Sequence, residues 1–410
     1  MPSEVSQDLD HSRIASLVAR VLAIHDTTLG SPNQNFRFRF RGRLLKDSVE
    51  AYDELAAAVR PVGFTALFRQ EGEDHVVLLV QGVHEPRASD ARVNLVLFVL
   101  TLLSVLFVGA SMSYTGPAPL GGAGGVSFLD NLLLIGRNLP AGLPFAASLL
   151  GILGVHEFGH YLAARRNRTA VSLPYFIPLP LSVFGTMGAF ISMKEPPRNR
   201  RVLVDIAVTG PLAGLVVAIP VLLYGLSLSR IEPLPSSVAG IQQLMLEGNS
   251  LLYLLAKFLV FGRMLPEPAH YALPPLLHWA RYWLLGTPLP LGGMDVMLHP
   301  VAWAGWAGLL VTGMNLIPAG QLDGGHLLYT LFGSKANRAL PVILILLGLL
   351  AIVWQGWLLL LFLILVFGRV HAEPLDQITQ LDGRRKALAL LGLIVFVLVF
   401  TPIPLKVLGG

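Results

Sequence analysis

Residues 139–166 read LPAGLPFAASLLGILGVHEFGHYLAARR. The seventeen positions from Leu139 to Val155 carry no charge, and a membrane-spanning helix needs roughly 18 to 20 such residues. His156, Glu157 and His160 come next, and the first arginine follows only at Arg165. Ionisable side chains inside a span cost a few kcal/mol each and usually mark function. This stretch therefore predicts a membrane helix that carries a functional site.

The composition of the whole chain agrees with a membrane protein. Of its 410 residues 54% are hydrophobic and 13% are charged, and 24 of the 55 charged residues fall in positions 1–92. We predict a soluble domain over 1–92 and a membrane domain over 93–410. The net charge of +5 is explained by basic loops between spans, so nucleic acid is not an expected partner. The chain has no Cys, so any metal must be bound by His, Asp or Glu.

The first 92 residues carry the patterns of a small α+β domain. Helical spacing extends over Ser12–Ile24 and Ser48–Val59, and short strands are predicted at Phe64–Phe68 and His75–Val80. In residues 36–41, FRFRFR, phenylalanine and arginine alternate with the period of a strand. A strand with one solvated face is favoured over a nucleic-acid patch, because this region has 13 acidic and 11 basic residues. Helices should cover one face of the sheet.

The remaining sequence predicts an α-helical polytopic membrane protein with about seven transmembrane helices. Two further apolar segments, near 251–262 and 272–286, are too short to span and are expected to be interfacial or re-entrant. The uncharged stretch 339–368 is predicted to form a tight helical pair that turns at Gln355 and Gly356. The seven predicted spans are about 93–112, 142–164, 204–228, 300–319, 340–353, 356–368 and 387–403.

The loop charges predict the orientation in the membrane. Seven Lys or Arg residues lie in the loop 165–201, whereas Arg137 is the only one between the first two spans. By the positive-inside rule, the 165–201 loop and the N-terminal domain are cytoplasmic. The first apolar run begins only at Val93, so we expect no cleaved leader and a multi-pass protein of the cell (inner or plasma) membrane. The same topology returns Arg369 and Arg384 to the cytoplasm.

The HEFGH sequence has the spacing of a zinc site. Two histidines four residues apart stand on the same face of a helix and can share one Zn²⁺, and Glu157 can take a proton from a metal-bound water. The alternatives are structural histidines within a helix bundle, or a metal site used for transport. Glu157 argues against transport, which needs no base beside the ligand. Arg165 lies nine residues after His156, so the site would be about 13 Å below the basic edge.

A third ligand is predicted at Asp323. The sequence NLIPAGQLDGGH spans residues 315–326, and Asp323 is the only carboxylate embedded in an apolar stretch after Glu157. Pro318, Gly320 and the two glycines after Asp323 indicate a broken helix, which is tolerated at this depth where backbone lines protein or water. The alternative for Asp323 is a helix-capping role. His326 is interpreted as a polar helix start.

HEFGH on one membrane helix and NLIPAGQLDGGH on a later one resemble the site-2 protease family of intramembrane zinc metalloproteases. The stretches 173–180, 185–191, 194–200 and 205–214 agree, so the resemblance covers about 140–330. The sequence has no inserted segment that resembles a PDZ domain. The resemblance is therefore closest to the cyanobacterial and plastid branch of the family.

The resemblance implies specific roles for five residues. It implies one Zn²⁺ per chain on His156, His160 and Asp323, Glu157 as the general base, and Asn315 as a hydrogen-bond donor near the scissile peptide. The alternative for Asn315 is an interhelical hydrogen bond.

The resemblance also implies the partners. Single-span transmembrane substrates in the lipid would be hydrolysed after pairing with a hairpin or re-entrant strand at 185–193. A divalent-metal transporter and a catalytically idle scaffold are the rival functions. The sequence leaves the substrate and the oligomeric state open.

Overall fold

The computed structural model describes residues 3–31, 34–83, 85, 89–113, 133, 135–237, 244–271, 273–367 and 373–408. Arg369, on which part of the predicted orientation depends, lies outside these ranges. So does most of the loop between the first two predicted spans.

A four-stranded antiparallel sheet dominates the first 82 residues. Its order is β1-β2-β4-β3, and two helices, α1 and α2, pack on one face. Phe38 and Phe40 point into that core, whereas Arg39 and Arg41 on the opposite face pair with Glu71 and Asp74. The elements are α1 (Ser3–Val18), β1 (Leu22–Leu29), β2 (Phe38–Leu44), α2 (Ser48–Val59), β3 (Phe64–Glu71) and β4 (Asp74–Gln81).

Most predicted elements of this region are confirmed, with one error. Helix α2 has the predicted bounds, and the FRFRFR strand has the predicted solvated face. The helix predicted over Ser12–Ile24 ends instead at Val18, and the chain enters β1 at Leu22. The apolar spacing continues across this boundary, but pairing of β1 with β2 decides the conformation of Leu22–Leu29.

Each of the seven predicted spans overlaps a helix, although the helices in 300–319 and 387–403 end at Asn315 and Val399. The helices that follow the sheet are α3 (Ala91–Met112), α4 (Leu143–Arg166), α5 (Arg200–Ser227), α6 (Leu251–Phe261), α7 (Pro275–Leu285), α8 (Pro300–Asn315), α9 (Asp323–Phe332), α10 (Leu340–Val353), α11 (Gly356–Phe367) and α12 (Gly383–Val399).

Within the described ranges, three helices are long and apolar enough to cross a membrane: Ala91–Met112, Leu139–Arg166 and Arg200–Ser227. A fourth results if the pair 323–338 and 340–353, bent by 86°, counts as one span. The chain is therefore a mostly helical membrane protein with three to four candidate spans, and the number seven stays a prediction.

The helical pair predicted within 339–368 is confirmed, because α10 ends at Val353 and α11 begins at Gly356. Helices α6 and α7 each have 11 residues, which agrees with segments too short to span. Two ribbons near these helices were not predicted. They pair β7 (Arg230–Pro233) with β9 (Met294–Met297), and β8 (Leu244–Glu247) with β10 (Leu405–Leu408).

Helices α4, α5 and α8 form the centre of the membrane domain. Phe145 and Leu149 of α4, Leu222 of α5 and Trp306 of α8 are all buried in one apolar cluster. A Cβ atom on Gly305 would lie only 2.6 Å from the Cα atom of Leu222, so glycine allows α8 and α5 to touch backbone to backbone. This close contact fixes the helices that carry the polar site.

A strap formed by residues 373–382 connects the sheet to the membrane helices. Its backbone pairs with the edge strand β3, since Phe68 N–H donates to the Leu375 carbonyl and Gln377 N–H donates to the Phe68 carbonyl. On its other side, Asp376 N–H donates to the carbonyl of Arg198, which lies just before α5. The strap therefore holds the sheet against the basic ends of the helices.

Candidate metal site and surrounding cavity

Two buried histidines of α4 stand one above the other near the middle of this helix. His156 and His160 are 2% and 6% exposed, and their rings meet edge to face with centroids 4.9 Å apart. Their spacing of four residues places both on the side of α4 that faces α5 and α8. The sequence prediction that these residues share one face is confirmed.

Asp323 reaches the histidines because the chain breaks between α8 and α9. Helix α8 ends at Asn315, a turn occupies 316–322, and Asp323 is the first residue of α9. The predicted broken helix is therefore confirmed, although α8 ends four residues before the predicted position 319. A Cβ atom on Gly324 would lie 1.9 Å from the Leu316 carbonyl oxygen, so this turn closes only with glycine there.

The three side chains present a triangle of ligand atoms. Nε2 of His160 lies 3.2 Å from Nε2 of His156, and Oδ2 of Asp323 lies 3.5 Å and 3.3 Å from these two nitrogens. Zinc–ligand bonds of about 2.0–2.2 Å in a tetrahedron place neighbouring ligand atoms about 3.3–3.6 Å apart. The triangle therefore fits one face of a tetrahedral zinc site and leaves the fourth position free for a water molecule or substrate. Among the described residues it is the cluster of His, Asp or Glu that could hold a metal ion.

Glu157 lies beside this triangle and is also buried, with 4% exposure. It follows His156 on α4, so its side chain leaves the helix about 100° away from that ligand. The backbone N–H of Ile191 approaches its carboxylate. This position suits a group that transfers protons beside the metal rather than a fourth ligand.

A cavity of about 430 Å³ opens beside the triangle. The predicted site residues all line it: His156, Glu157, His160, Asn315 and Asp323. The amide nitrogen Nδ2 of Asn315, at the end of α8, lies 3.4 Å from Nε2 of His156. Asn315 can thus reach a molecule bound at the metal position.

Part of the cavity lining comes from a two-stranded hairpin and the residues that follow it. Strand β6 (Thr186–Phe190) pairs antiparallel with β5 (Tyr175–Pro178), and residues 189–193 line the cavity. The predicted segment 185–193 therefore supplies one strand, β6, of a hairpin whose other strand, β5, lies outside that segment. In the described part of the chain β6 has a strand on one edge only, which leaves its other edge for backbone pairing.

Two polar residues of the cavity were not predicted to belong to it. His326 lines the cavity and is 7% exposed, although the sequence analysis treats it as a polar helix start. Its position three residues after Asp323 on α9 was the available signal, because this spacing places both on one helix face. Gln321, in the turn before α9, also lines the cavity, and its sequence context gives no comparable signal.

A triangle of two histidines and one carboxylate, with a glutamate beside it, defines the class of zinc-dependent hydrolase sites. The family model for peptidase family M50 matches residues 144–353, just over half of the 410 residues. The chain therefore belongs to this family, the site-2 protease family of zinc metalloproteases, and the predicted resemblance is confirmed.

Curated relatives agree with this assignment. The chain is 31% identical over 271 residues to "Probable zinc metalloprotease EGY1, chloroplastic" of Arabidopsis thaliana, which covers 64% of this chain and 43% of the relative. It is 32% identical over 292 residues to "Probable zinc metalloprotease EGY2, chloroplastic" of the same plant, and this match covers 70% of this chain and 45% of the relative. A rice relative (Oryza sativa subsp. japonica), also named EGY1, is 28% identical over 337 residues, and this match covers 76% of this chain and 50% of the relative.

The chain spans about half the length of these relatives or less. Their names agree with the predicted plastid-like branch and give no support to the plasma membrane or to the transporter alternative. No solved structure matches the chain.

Proposed function

We propose that this protein is an intramembrane zinc metalloprotease that hydrolyses peptide bonds of single-span transmembrane proteins. The observation that carries the proposal is the triangle of His156, His160 and Asp323 at tetrahedral spacing, with Glu157 beside it in a cavity. A metal transporter needs ligands on a path across the membrane, but it has no use for a buried carboxylate next to the first ligand. The hydrolytic function therefore explains more of the site.

The chain's own residues divide the chemistry between them. His156, His160 and Asp323 would hold one zinc ion, which would supply Lewis-acid polarisation of the scissile carbonyl and a lower pKa of a bound water. Glu157 accepts a proton from the attacking water and returns it to the amide nitrogen that leaves. The amide of Asn315 donates a hydrogen bond to the carbonyl oxygen as negative charge develops there.

The hairpin prepares the substrate for attack. A transmembrane substrate is helical, with its carbonyls already hydrogen-bonded inside its own helix. We propose that the substrate unwinds and pairs with the free edge of β6, whose residues Ala189 and Phe190 line the same cavity as the ligands. Backbone pairing replaces part of the hydrogen bonding that the substrate loses. It also brings an extended peptide to Glu157.

We further propose a division into a cytoplasmic domain over 1–92 and a multi-pass membrane domain over 93–410, with the protease core at about 140–330. Two arginines at helix ends support this orientation, because Arg201 of α5 donates to the Gln380 carbonyl of the strap and Arg385 of α12 donates to the Asp382 carboxylate of the strap.

Cysteine labelling tests the orientation. The chain has no native Cys, so a single introduced Cys is the only residue that a thiol reagent can label. Arg263, after α6, and Asp53, in the N-terminal domain, both have exposed side chains. In intact cells an impermeant thiol reagent should label Arg263→Cys and should label Asp53→Cys only after permeabilisation. The reverse pattern would invert the proposed orientation.

The proposed activity is tested with purified protein and a panel of single-span substrates in detergent or liposomes. Cleavage should occur, stop after a zinc chelator is added, and return when zinc is restored. Cleavage products are identified by mass spectrometry, so that a cut within the transmembrane segment can be distinguished from one in a soluble tail. Cleavage that continues in the presence of the chelator would point to a contaminating protease that does not depend on zinc. Zinc binding without cleavage of any substrate would instead favour the transport or scaffold function.

A further inference from the structure

Helix α5 lies directly against the ring of His160. A Cβ atom placed on Gly210 of α5 would lie 2.1 Å from Nε2 of that ring, 2.4 Å from Cδ2 and 2.5 Å from Cε1. These distances are far shorter than a van der Waals contact, so the ring occupies the space in which any side chain at position 210 would begin. Only glycine at 210 is compatible with the observed ring position.

The same helix also orients the ring by a hydrogen bond. Nδ1 of His160 lies 2.8 Å from the carbonyl oxygen of Ile206, one turn before Gly210. A backbone carbonyl only accepts, so Nδ1 must carry the proton. The lone pair of Nε2 is then free and directed at Asp323 and His156. The carbonyl therefore selects the tautomer that can bind a metal through Nε2.

A second glycine of α5 approaches the other histidine less closely. A Cβ atom on Gly214, one turn after Gly210, would lie 3.2 Å from both Cβ and Nδ1 of His156. This contact is tight but requires a displacement of only a few tenths of an ångström. Alanine at position 210 should therefore disturb the metal site strongly, and alanine at position 214 should disturb it only slightly.

We propose that α5 is the positioning element of the metal site: the Ile206 carbonyl fixes the tautomer of His160, and Gly210 provides the slot that holds its ring at ligand distance. Gly210 is a positioning residue, because it acts through His160. The inference rests on the proposed zinc site and adds a determinant that the ligand motif does not contain. It also explains why α4 and α5 must touch at Gly159, where a Cβ atom would lie 2.9 Å from the Thr209 carbonyl oxygen.

Zinc affinity of the full-length protein, measured by competition with a chelator in the absence of substrate, tests this inference. Loss of an outer partner of a metal ligand typically weakens binding about 10- to 100-fold, and we expect this range for Gly210→Ala. Gly214→Ala should weaken binding less. The matched control is Gly154→Ala on α4, two residues before His156, because a Cβ atom there meets nothing within 4 Å. This control should bind zinc like the wild type.

A spectroscopic readout separates positioning from a general loss of structure. With Co²⁺ in place of zinc, displacement of His160 should change the visible absorption spectrum of Gly210→Ala, whereas Gly154→Ala should keep the wild-type spectrum. A Gly210→Ala protein with wild-type zinc affinity and an unchanged Co²⁺ spectrum would overturn the inference. If the Gly210→Ala protein cannot be purified, the zinc affinity of Gly214→Ala is the test. A zinc affinity of Gly214→Ala equal to that of Gly154→Ala would overturn the inference. Failure of the wild type to bind zinc would instead refute the proposed function.

Discussion

Replacement of Asp323 should separate a true metal ligand from a helix-capping residue. Its carboxylate supplies one corner of the ligand triangle and the only negative charge among the three ligand atoms. Apparent zinc binding energies of about 10–16 kcal/mol for four-ligand sites correspond to roughly 3 kcal/mol per ligand, which is about a 100-fold change in Kd. We therefore expect Asp323→Ala to weaken zinc binding about 100-fold and to abolish cleavage.

The design uses a conservative variant and a control. Asp323→Asn keeps an oxygen at the same place but removes the charge, so its affinity should fall between those of the wild type and Asp323→Ala. Glu232→Gln removes an exposed carboxylate of β7, outside the cavity, and should bind zinc normally. A wild-type zinc affinity in Asp323→Ala would refute the assignment of Asp323 as a metal ligand. The third ligand would then have to be sought among other cavity residues, of which His326 is the first candidate.

Three further perturbations address other parts of the site and the opposite end of the molecule. Asn315→Ala should retain zinc while the cleavage rate falls about 10²- to 10³-fold, as expected for a lost oxyanion donor; a loss of zinc or of folding instead would assign Asn315 a structural role. Ala189→Pro removes a backbone donor and the strand geometry of β6, so cleavage should fall with zinc retained, and normal cleavage would reduce the hairpin to a packing element. Burial raises the pKa of Glu247, which accepts a hydrogen bond from Tyr253, to about 7. Because an ordinary glutamate titrates near 4.5, the folded state holds this proton more tightly, so the stabilisation is present below pH 4.5 and is lost as the pH rises through about 7. The melting temperature should therefore change less between pH 5 and pH 8 in Glu247→Gln than in the wild type, and an equal change in both would contradict the assignment.

The membrane helices could be predicted because long uncharged runs have few alternatives in a membrane protein. The same logic identified His156, Glu157, His160 and Asp323, since buried ionisable groups inside apolar segments are rare. It did not find β1, because LAIHDTTL has no clear period of two and takes its conformation from pairing with β2.

Contacts made by the backbone were also invisible in the sequence. The strap binds β3 through main-chain groups of Phe68, Leu375 and Gln377, so residue type carries no signal for it. The same holds for the Ile206 carbonyl, which orients His160 although isoleucine suggests only an apolar position. Gly210 was part of a stretch that resembles the family, but its role depends on a ring from another helix. Such roles are decided by tertiary distances.

The central claim, that a zinc site with Glu157 as its base hydrolyses peptides in the membrane, is tested most directly by one paired measurement on Glu157→Gln. Zinc content and cleavage rate are determined in the same preparation as for the wild type. The account predicts about one zinc ion per chain in both proteins and a cleavage rate about 10²- to 10⁴-fold lower in the variant, because the carboxylate is needed for proton transfer and not for coordination. Cleavage at the wild-type rate by zinc-loaded Glu157→Gln would contradict it.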